Sequence, residues 1–539
     1  MSRPNPFTLA ALMAAVALAA TWLGLDKGGL YPTWQEGDML HMVQIVLREA
    51  AGEWPHLDFM TPLGWLAYAP ITLFVRMGQT LADAFVMAQA LVAAALLPAA
   101  WWAAFSRLGR GWAHLFGAAV MVLVVALVPA SADTSISLSM NYNRWAWAIA
   151  FTVLLVALVP ARTPGRGASV GDGVTAGLGL SVLALIKVTY FAGFAPVVLL
   201  ALVLRRDRLA LGVGLGAGLA VLGAVTLAAG PAIWPAYLGD LLTVAGSDER
   251  AFPTASFGTV LAGVSGRVDS ALFLVAVILL RRSGQARGGL LLLLAGPGLS
   301  YVTYQNFGNE PVWLFLLGVV VLALRPRQPG PRQEGPDLRQ GLTVIGWVAL
   351  ILSAPFFMSM AESPLRNYTA KTEDQVAVLP GAQGLWMPRE RVQRVQIRTT
   401  RRGPWWQPTA GPERTLFQGE LLEDCLLVSG LVGWYQDISA DIEAAGLAGR
   451  PALVADILNS YWLFGGVERL AGGAPWYYGG LPGVMDAQAV LVPQCPARPK
   501  VRARILTAIE EAGLELNELR RTDDYILLAV MPKSTASTR

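Results

Sequence analysis

Residues 62–78 read PLGWLAYAPITLFVRMG, and whether this run crosses a membrane decides the topology of everything after it. Its length sits at the lower limit for a helix that spans a ~30 Å hydrocarbon core. The lysines and arginines further on decide against a crossing. Arg107 and Arg110, then Arg162 and Arg166, then Arg205, Arg206 and Arg208 fall in alternate connections between apolar runs. Arg281, Arg282 and Arg287 continue the series, as does the basic, proline-rich stretch from Arg325 to Arg339. Basic connections mark the cytoplasmic side. Counting 62–78 as a span would put all of them outside. The segment is therefore read as an interfacial or re-entrant helix on the outer side, with Arg76 near the headgroups.

The rest of the chain follows from that choice. Of its 539 residues 54% are hydrophobic and 14% charged, against about 25% charged in soluble domains. Apolar runs at 7–25, 82–105, 112–130, 144–160, 172–188, 190–204, 209–229, 268–281, 288–306, 310–325 and 340–360 predict about eleven membrane helices. The expected fold is an α-helical polytopic membrane protein over 1–360, including a first outer loop at 26–81. After residue 360 charges recur. CLLVSGLV, PALVADIL and AQAVLVP read as buried strands, RARILTAIEEAG as a helix and DDYILLAVMP as a closing strand. They predict an extracytoplasmic α/β domain over 361–539, with 362–415 as its connection. The run at 7–25 follows only one arginine, Arg3, and is read as a retained helix rather than a cleaved signal. The formal charge of +4 is scattered over short loops, which argues against nucleic acid as a partner. Three histidines (His41, His56 and His114) and two cysteines argue against a structural zinc site. Cys425 and Cys495 share the outer tail, where a disulfide and two free thiols are both open.

The residues with most chemical content lie in the first outer loop, WQEGDMLHMVQIVLREAAGEWPHLDFMTPLGW at 34–65. Glu36 and Asp38 flank a glycine where the chain leaves the first apolar run. Met39, Met42, Val43, Val46 and Leu47 then share one helical face, which would let the helix rest on the bilayer surface. Asp58 precedes an aromatic and the Thr-Pro that opens 62–78. An isolated E-x-D before a helix is ordinarily a pair of N-terminal acids favoured by the helix dipole. The second outer loop, SADTSISLSMNYNRWAWAI, brings Asp133 and the run Asn141, Tyr142, Asn143, Arg144, Trp145. An arginine at a membrane boundary either anchors the helix or forks onto a phosphate. Lys187, within the hairpin 172–204, is a charge that costs about 2.5–3.5 kcal/mol in mid-membrane and much less if it snorkels.

Taken together, EGD, the amphipathic helix, G-E-W-P, D-F and T-P directly after the first membrane helix resemble the first outer loop of GT-C glycosyltransferases. These multi-spanning enzymes take sugars from polyprenyl-phosphate donors and include bacterial aminoarabinose–lipid A transferases and protein O-mannosyltransferases. The detailed resemblance covers roughly 7–205. It implies transfer of a sugar from a polyprenyl-phosphate donor to a lipid, glycan or protein acceptor at the periplasmic face of the bacterial inner membrane. It also implies Asp38 as the acid beside the reacting sugar, with Glu36 and Asp133 as the other acids. Arg144 and Lys187 would meet the lipid phosphate, with His41, Asp58, Tyr142 and Asn143 around the donor. His41 stands where relatives commonly carry an aromatic, and Met60-Thr61 where many carry a charge. No cofactor is required by this reading; a divalent metal on Glu36 and Asp38, both hard oxygen ligands, stays open. A transporter or flippase, or an O-antigen ligase or polymerase, would also be polytopic. The first would show paired halves or matching broken helices, which are not seen. The second would carry its chemistry in a late loop.

Overall fold

A computed structural model describes residues 2–248, 256–305, 310–326, 337–399, 415–422 and 425–531. In chain order the helices begin with α1 (Pro6–Lys27), α2 (Glu36–Ala50), α3 (Ala69–Arg76), α4 (Leu81–Arg107), α5 (Arg110–Val125) and α6 (Asn141–Leu158). They continue with α7 (Arg166–Ile186), α8 (Val188–Leu204), α9 (Arg208–Ala229), α10 (Ile233–Ala245), α11 (Phe257–Ala262) and α12 (Val264–Arg282). The last are α13 (Ala286–Gln305), α14 (Trp313–Leu324), α15 (Leu338–Tyr368), α16 (Arg389–Gln393), α17 (Leu431–Ala444) and α18 (Pro499–Glu511). The chain divides into two compact units. One comprises residues 1–30, 63–231 and 252–370; the other comprises 31–62, 232–251 and 371–539.

The first unit is helical, and a helix stands at each of the eleven apolar runs. Five of them, α1, α4, α7, α9 and α15, are long and apolar enough to cross a membrane, while α5, α8 and α14 are apolar but shorter. Burial sorts the helices by role. Every residue of α6 is buried, so it forms the centre. In α9 only Ala210 and Val225 are buried, and Leu215, Leu219 and Leu227 are exposed. Such a continuous apolar face belongs in lipid, because soluble monomers rarely expose large apolar patches. α7 and α9 pack backbone to backbone, since a Cβ on Gly177 would collide with the Gly214 carbonyl. Three of the arginine-rich connections, those of Arg107, Arg162 and Arg205, meet at one end of this unit. Arg107 pairs with Asp172 at 2.6 Å and Arg205 approaches the same carboxylate at 3.7 Å. Arg162 and Arg205 also donate to the Leu108 and Val156 carbonyls.

Residues 62–78 do not form a spanning helix. A 3₁₀ turn at Trp65–Ala67 leads into the eight-residue α3, whose rise of about 12 Å covers less than half a hydrocarbon core. The expected end of the last membrane run at 360 is exceeded by α15, which continues to Tyr368 through Pro355 and Pro364. The extension is held by Asn367, which donates to the Gly29 carbonyl at 3.0 Å.

The second unit holds the strands: β1 (Gln375–Ala377), β2 (Trp386–Pro388), β3 (Gln396–Thr399), β4 (Leu416–Phe417), β5 (Glu420–Leu421) and β6 (Cys425–Ser429). They are followed by β7 (Arg450–Val454), β8 (Val467–Glu468), β9 (Ala489–Pro493), β10 (Leu516–Arg521) and β11 (Tyr525–Val530). The main sheet has the order β10-β11-β9-β7-β8. β7 runs parallel to both β8 and β9, and β9-β11-β10 is antiparallel. Its core joins Leu453, Val490, Val492, Ile526 and Leu528 to Val501, Ile505 and Ile509 of α18. The anticipated strands, the helix and the closing strand are all present. Within CLLVSGLV the strand stops at Ser429, and Gly430, at φ +82°, turns the chain into α17. Cys425 and Cys495 form a disulfide with their Cα atoms 4.9 Å apart.

This unit also contains the first outer loop, and there α2 differs from a helix lying on a surface. None of its residues is exposed, and Glu36, His41, Gln44, Arg48 and Glu49 are buried along with the apolar stripe. Gln44 donates to the Ser460 hydroxyl at 2.8 Å and accepts from Trp462 at 3.1 Å. Arg48 donates to the Leu470 carbonyl at 2.9 Å. The periodicity marked one apolar face correctly, but these polar side chains bond to residues hundreds of positions away and bring the other faces inside.

Candidate functional site

Each unit carries part of the expected constellation. In the second unit, Gln35 adopts the left-handed conformation at φ 60° and turns the chain into α2 without a side-chain cap. Glu36 and Asp38 thus occupy the first helical turn, where the helix dipole favours negative charge. Their surroundings differ. Glu36 is buried, and its Oε1 accepts from Arg391 Nε at 2.7 Å while Oε2 has no partner among the described residues. Asp38 is half-buried. His41 is buried with its ring edge-on to Trp476, centroids 5.6 Å apart. Asp58 is exposed and closes a local turn by accepting from the Trp54 amide at 2.6 Å. Among the described residues no three His, Cys, Asp or Glu side chains gather as a metal site.

Two features of this unit left no local trace in the sequence. Arg391 lies 355 positions from the acid it meets. His56, at φ +74°, bonds through Nδ1 to Asp240 at 2.8 Å, and the same carboxylate accepts from the Thr61 amide at 3.1 Å. Asp240 thereby pins the loop that follows α2 onto α10. Of the tail aromatics that the sequence offers for stacking on sugar rings, Tyr477 and Tyr478 are buried, whereas Trp405 and Trp406 lie outside the described residues.

The first unit supplies the cations. Met140, at φ 51°, starts α6 with no side-chain cap. The first-turn amides of a helix left uncapped in this way favour an anion. Around that helix end lie groups with hydrogen-bonding capacity to spare. Arg144 is 1% exposed; it donates to the Ala126 carbonyl at 2.8 Å and has no partner at Nε among the described residues. Among the described residues no carboxylate pairs with it. Among the described residues, fully buried Asn141 has both polar atoms of its amide unpaired, and Asn143 Nδ2 and Ser139 Oγ are also unmatched. Lys187 is the single non-helical residue between α7 and α8. Its Nζ donates to Asn143 Oδ1 at 3.1 Å and stands 5.6 Å from the centre of the Tyr142 ring. Tyr190 bonds to the Asn143 carbonyl.

The cluster therefore brings together Tyr142, Asn143, Arg144 and Lys187. Two cations, further amide and hydroxyl donors and a helix N-terminus thus lie together, groups whose chemistry favours a nearby anion. Arg144 is too deeply buried for an interfacial anchor, and its bond to the Ala126 carbonyl holds it beside the end of α5. Asp133 stands apart from the cluster. It is exposed and accepts from the Ser135 amide at 2.6 Å, in a local turn. Asn306 and Asn309 lie outside the described residues, while Glu310 is described and lines a different cavity.

No protein-family model and no curated protein matches the chain. Among solved structures it is similar to ArnT from Cupriavidus metallidurans bound to undecaprenyl phosphate, at 10% identity and a TM-score of 0.41, over 97% of this chain and 98% of that one. It is also similar to the apo state of the same protein, at 11% identity and a TM-score of 0.37, over 97% and 99% of the two chains.

Proposed function

We propose that the chain is a GT-C type membrane glycosyltransferase that moves a sugar from a polyprenyl-phosphate donor to an acceptor hydroxyl, with inversion at the anomeric carbon. Asp38 takes the proton of the acceptor hydroxyl as its oxygen attacks, and the bond to the lipid phosphate breaks on the opposite side of the ring. General-base assistance of this kind contributes about 10²–10⁴-fold. The departing phosphate gains charge, and Arg144 and Lys187 stabilise it most in the transition state. In this reading the enzyme sits in the bacterial inner membrane, its second unit faces the periplasm, and the acceptor is a lipid, glycan or protein of the envelope. Glu36, held by Arg391, orients the start of α2 and leaves the proton transfer to Asp38.

The observation that supports the reading best is the cationic cluster at the start of α6, where donors on Asn141, Asn143 and Arg144 have no acceptor among the described residues. The test uses undecaprenyl phosphate as probe with purified protein in detergent. Arg144→Gln is expected to weaken binding by roughly 10- to 100-fold, the loss of a charge-assisted hydrogen bond. Unchanged affinity would remove the phosphate role. Asp38→Asn is expected to keep that affinity yet fail to restore the missing glycoconjugate in a deletion strain. Restoration at wild-type level would refute the base assignment.

A further inference from the structure

At the end of the first unit where the connections of Arg107 and Arg162 meet, three separate stretches of chain line a cavity of about 100 Å³. Arg3 comes from before α1, Trp102, Phe105 and Ser106 from the last turns of α4, and Arg162 and Thr163 from the connection before α7. Directed bonds hold these stretches together. Arg3 donates to the Thr163 hydroxyl at 3.3 Å, and the Arg162 amide to the Ser106 carbonyl at 2.9 Å. The Arg162 guanidinium donates to the Leu108 carbonyl at 2.9 Å. The lining carries two guanidinium groups and no carboxylate. Asp172, which accepts from the Trp102 indole at 3.0 Å, is already shared by Arg107 and Arg205. Arg3 is exposed, and among the described residues no carboxylate pairs with it. The flank of the cavity is apolar. Trp101 stacks on Phe105 with centroids 4.9 Å apart and donates to the Pro6 carbonyl at 3.0 Å. That bond joins α4 to the first turn of α1, where Phe7 is 82% exposed.

From these groups we infer that the cavity receives the phosphate of an anionic membrane phospholipid, in the leaflet at this end of the unit. Charge excludes a cation, which would face two guanidinium groups and no counter-charge. Among anions, the volume admits a phosphate-sized group and leaves no room for a nucleotide. A free phosphate satisfies the guanidinium groups but makes no use of Phe7, Trp101 and Phe105. A phosphodiester carrying acyl chains meets both parts of the surface. Its oxygens take the guanidinium forks, the Thr163 hydroxyl accepts from Arg3 and keeps a proton to donate, and the chains run down the apolar flank. Basic recesses between membrane helices hold lipid headgroups by this chemistry, and indoles favour the headgroup level. Arginines orient a membrane chain through their number alone; that role does not need Arg3 and Arg162 bonded around one cavity. Arg107 and Arg205 donate to the Val159 and Val156 carbonyls, at the opposite end of α6 from Asn141. The site is therefore separate from the cluster at the start of α6 and does not depend on the transfer reaction.

The experiment is native mass spectrometry of the full chain in detergent, titrated with phosphatidylglycerol or with zwitterionic phosphatidylcholine. Two arginines beside an anionic headgroup correspond to roughly 30-fold in affinity, so the wild type is expected to prefer phosphatidylglycerol by about that factor. Combining Arg3→Gln with Arg162→Gln is expected to remove most of the preference. Because Arg162 also braces the Leu108 carbonyl, Arg3→Gln alone serves as the milder variant and is expected to weaken phosphatidylglycerol binding by roughly 5-fold. Arg287→Gln, exposed near the start of α13 and outside the lining, is expected to leave it unchanged. Equal affinity for the two lipids in the wild type would overturn the inference, as would undiminished phosphatidylglycerol binding by the Arg3 variants. Equal losses from Arg3→Gln and Arg287→Gln would replace a site with diffuse surface charge. Displacement of the lipid by inorganic phosphate at equal concentration would reassign the cavity to a free anion. No turnover is measured and the α6 cluster is left intact, so failure here and failure of the transfer mechanism are read separately.

Discussion

At the scale of single residues, the carboxylates of Glu36, Asp38 and Asp456 show how environment assigns a role. Glu36 and Asp38 are equivalent in the sequence, both in the first turn of one helix. The fold separates them by giving Glu36 the Arg391 guanidinium at 2.7 Å and by burying its carboxylate. Removing one partner leaves the other charge desolvated and uncompensated. Arg391→Met is expected to destabilise the second unit by ~2 kcal/mol, less than for a fully buried pair because Arg391 is about one-third exposed; thermal unfolding measures it. Asp456 is fully buried at the end of β7 and accepts from the Ile457, Ala497 and Arg498 amides at 2.7, 2.7 and 3.0 Å. Burial outweighs those bonds and pushes its pKa up to about 6. The unfolded carboxyl titrates near 4, so the folded state holds its proton longer. The resulting stability is complete below pH ~4 and is lost as pH rises through about 6. Asp456→Asn is expected to flatten the fall in melting temperature between pH 4 and 7 relative to wild type. An unchanged slope would show that other groups set it.

At the scale of elements, the break between α7 and α8 is fixed from outside the pair. Gly64 N donates to the Ile186 carbonyl at 3.1 Å, and a Cβ at position 64 would collide with the Leu185 carbonyl. The glycine lets the backbone at the start of the 65–67 turn lie directly against the residues before Lys187. Gly64→Ala forces two backbones apart, a displacement that typically costs 1–3 kcal/mol. It is expected to lower the melting temperature and to weaken the proposed undecaprenyl phosphate binding by displacing Lys187. Gly212→Ala, in α9 with open space where its Cβ would stand, serves as the control and is expected to be neutral or slightly stabilising. If both variants bind alike, the turn does not position the lysine.

At the scale of the whole molecule, the disulfide between Cys425 and Cys495 closes a loop of sequence separation 70. Cross-linking a loop of that length stabilises by about 4 kcal/mol in the chain-entropy account. Replacing both cysteines by serine is expected to lower the melting temperature of the second unit and to speed its proteolysis; equal half-lives would contradict this. By itself the sequence determined the eleven helical runs, the short non-spanning helix after residue 62 and the strands of the tail. In lipid, each segment must satisfy its own backbone hydrogen bonds, and a strand's alternation is likewise local, so the signal lies within each run. Only the tertiary structure decided that residues 31–62 and 232–251 join the C-terminal residues in one unit. It alone supplied Arg391 for Glu36, Asp240 for His56 and Lys187 for Asn143, and it chose the disulfide over free thiols. Those partners are far apart in the chain, and no periodicity or spacing within a segment records which distant group will complete its hydrogen bonds.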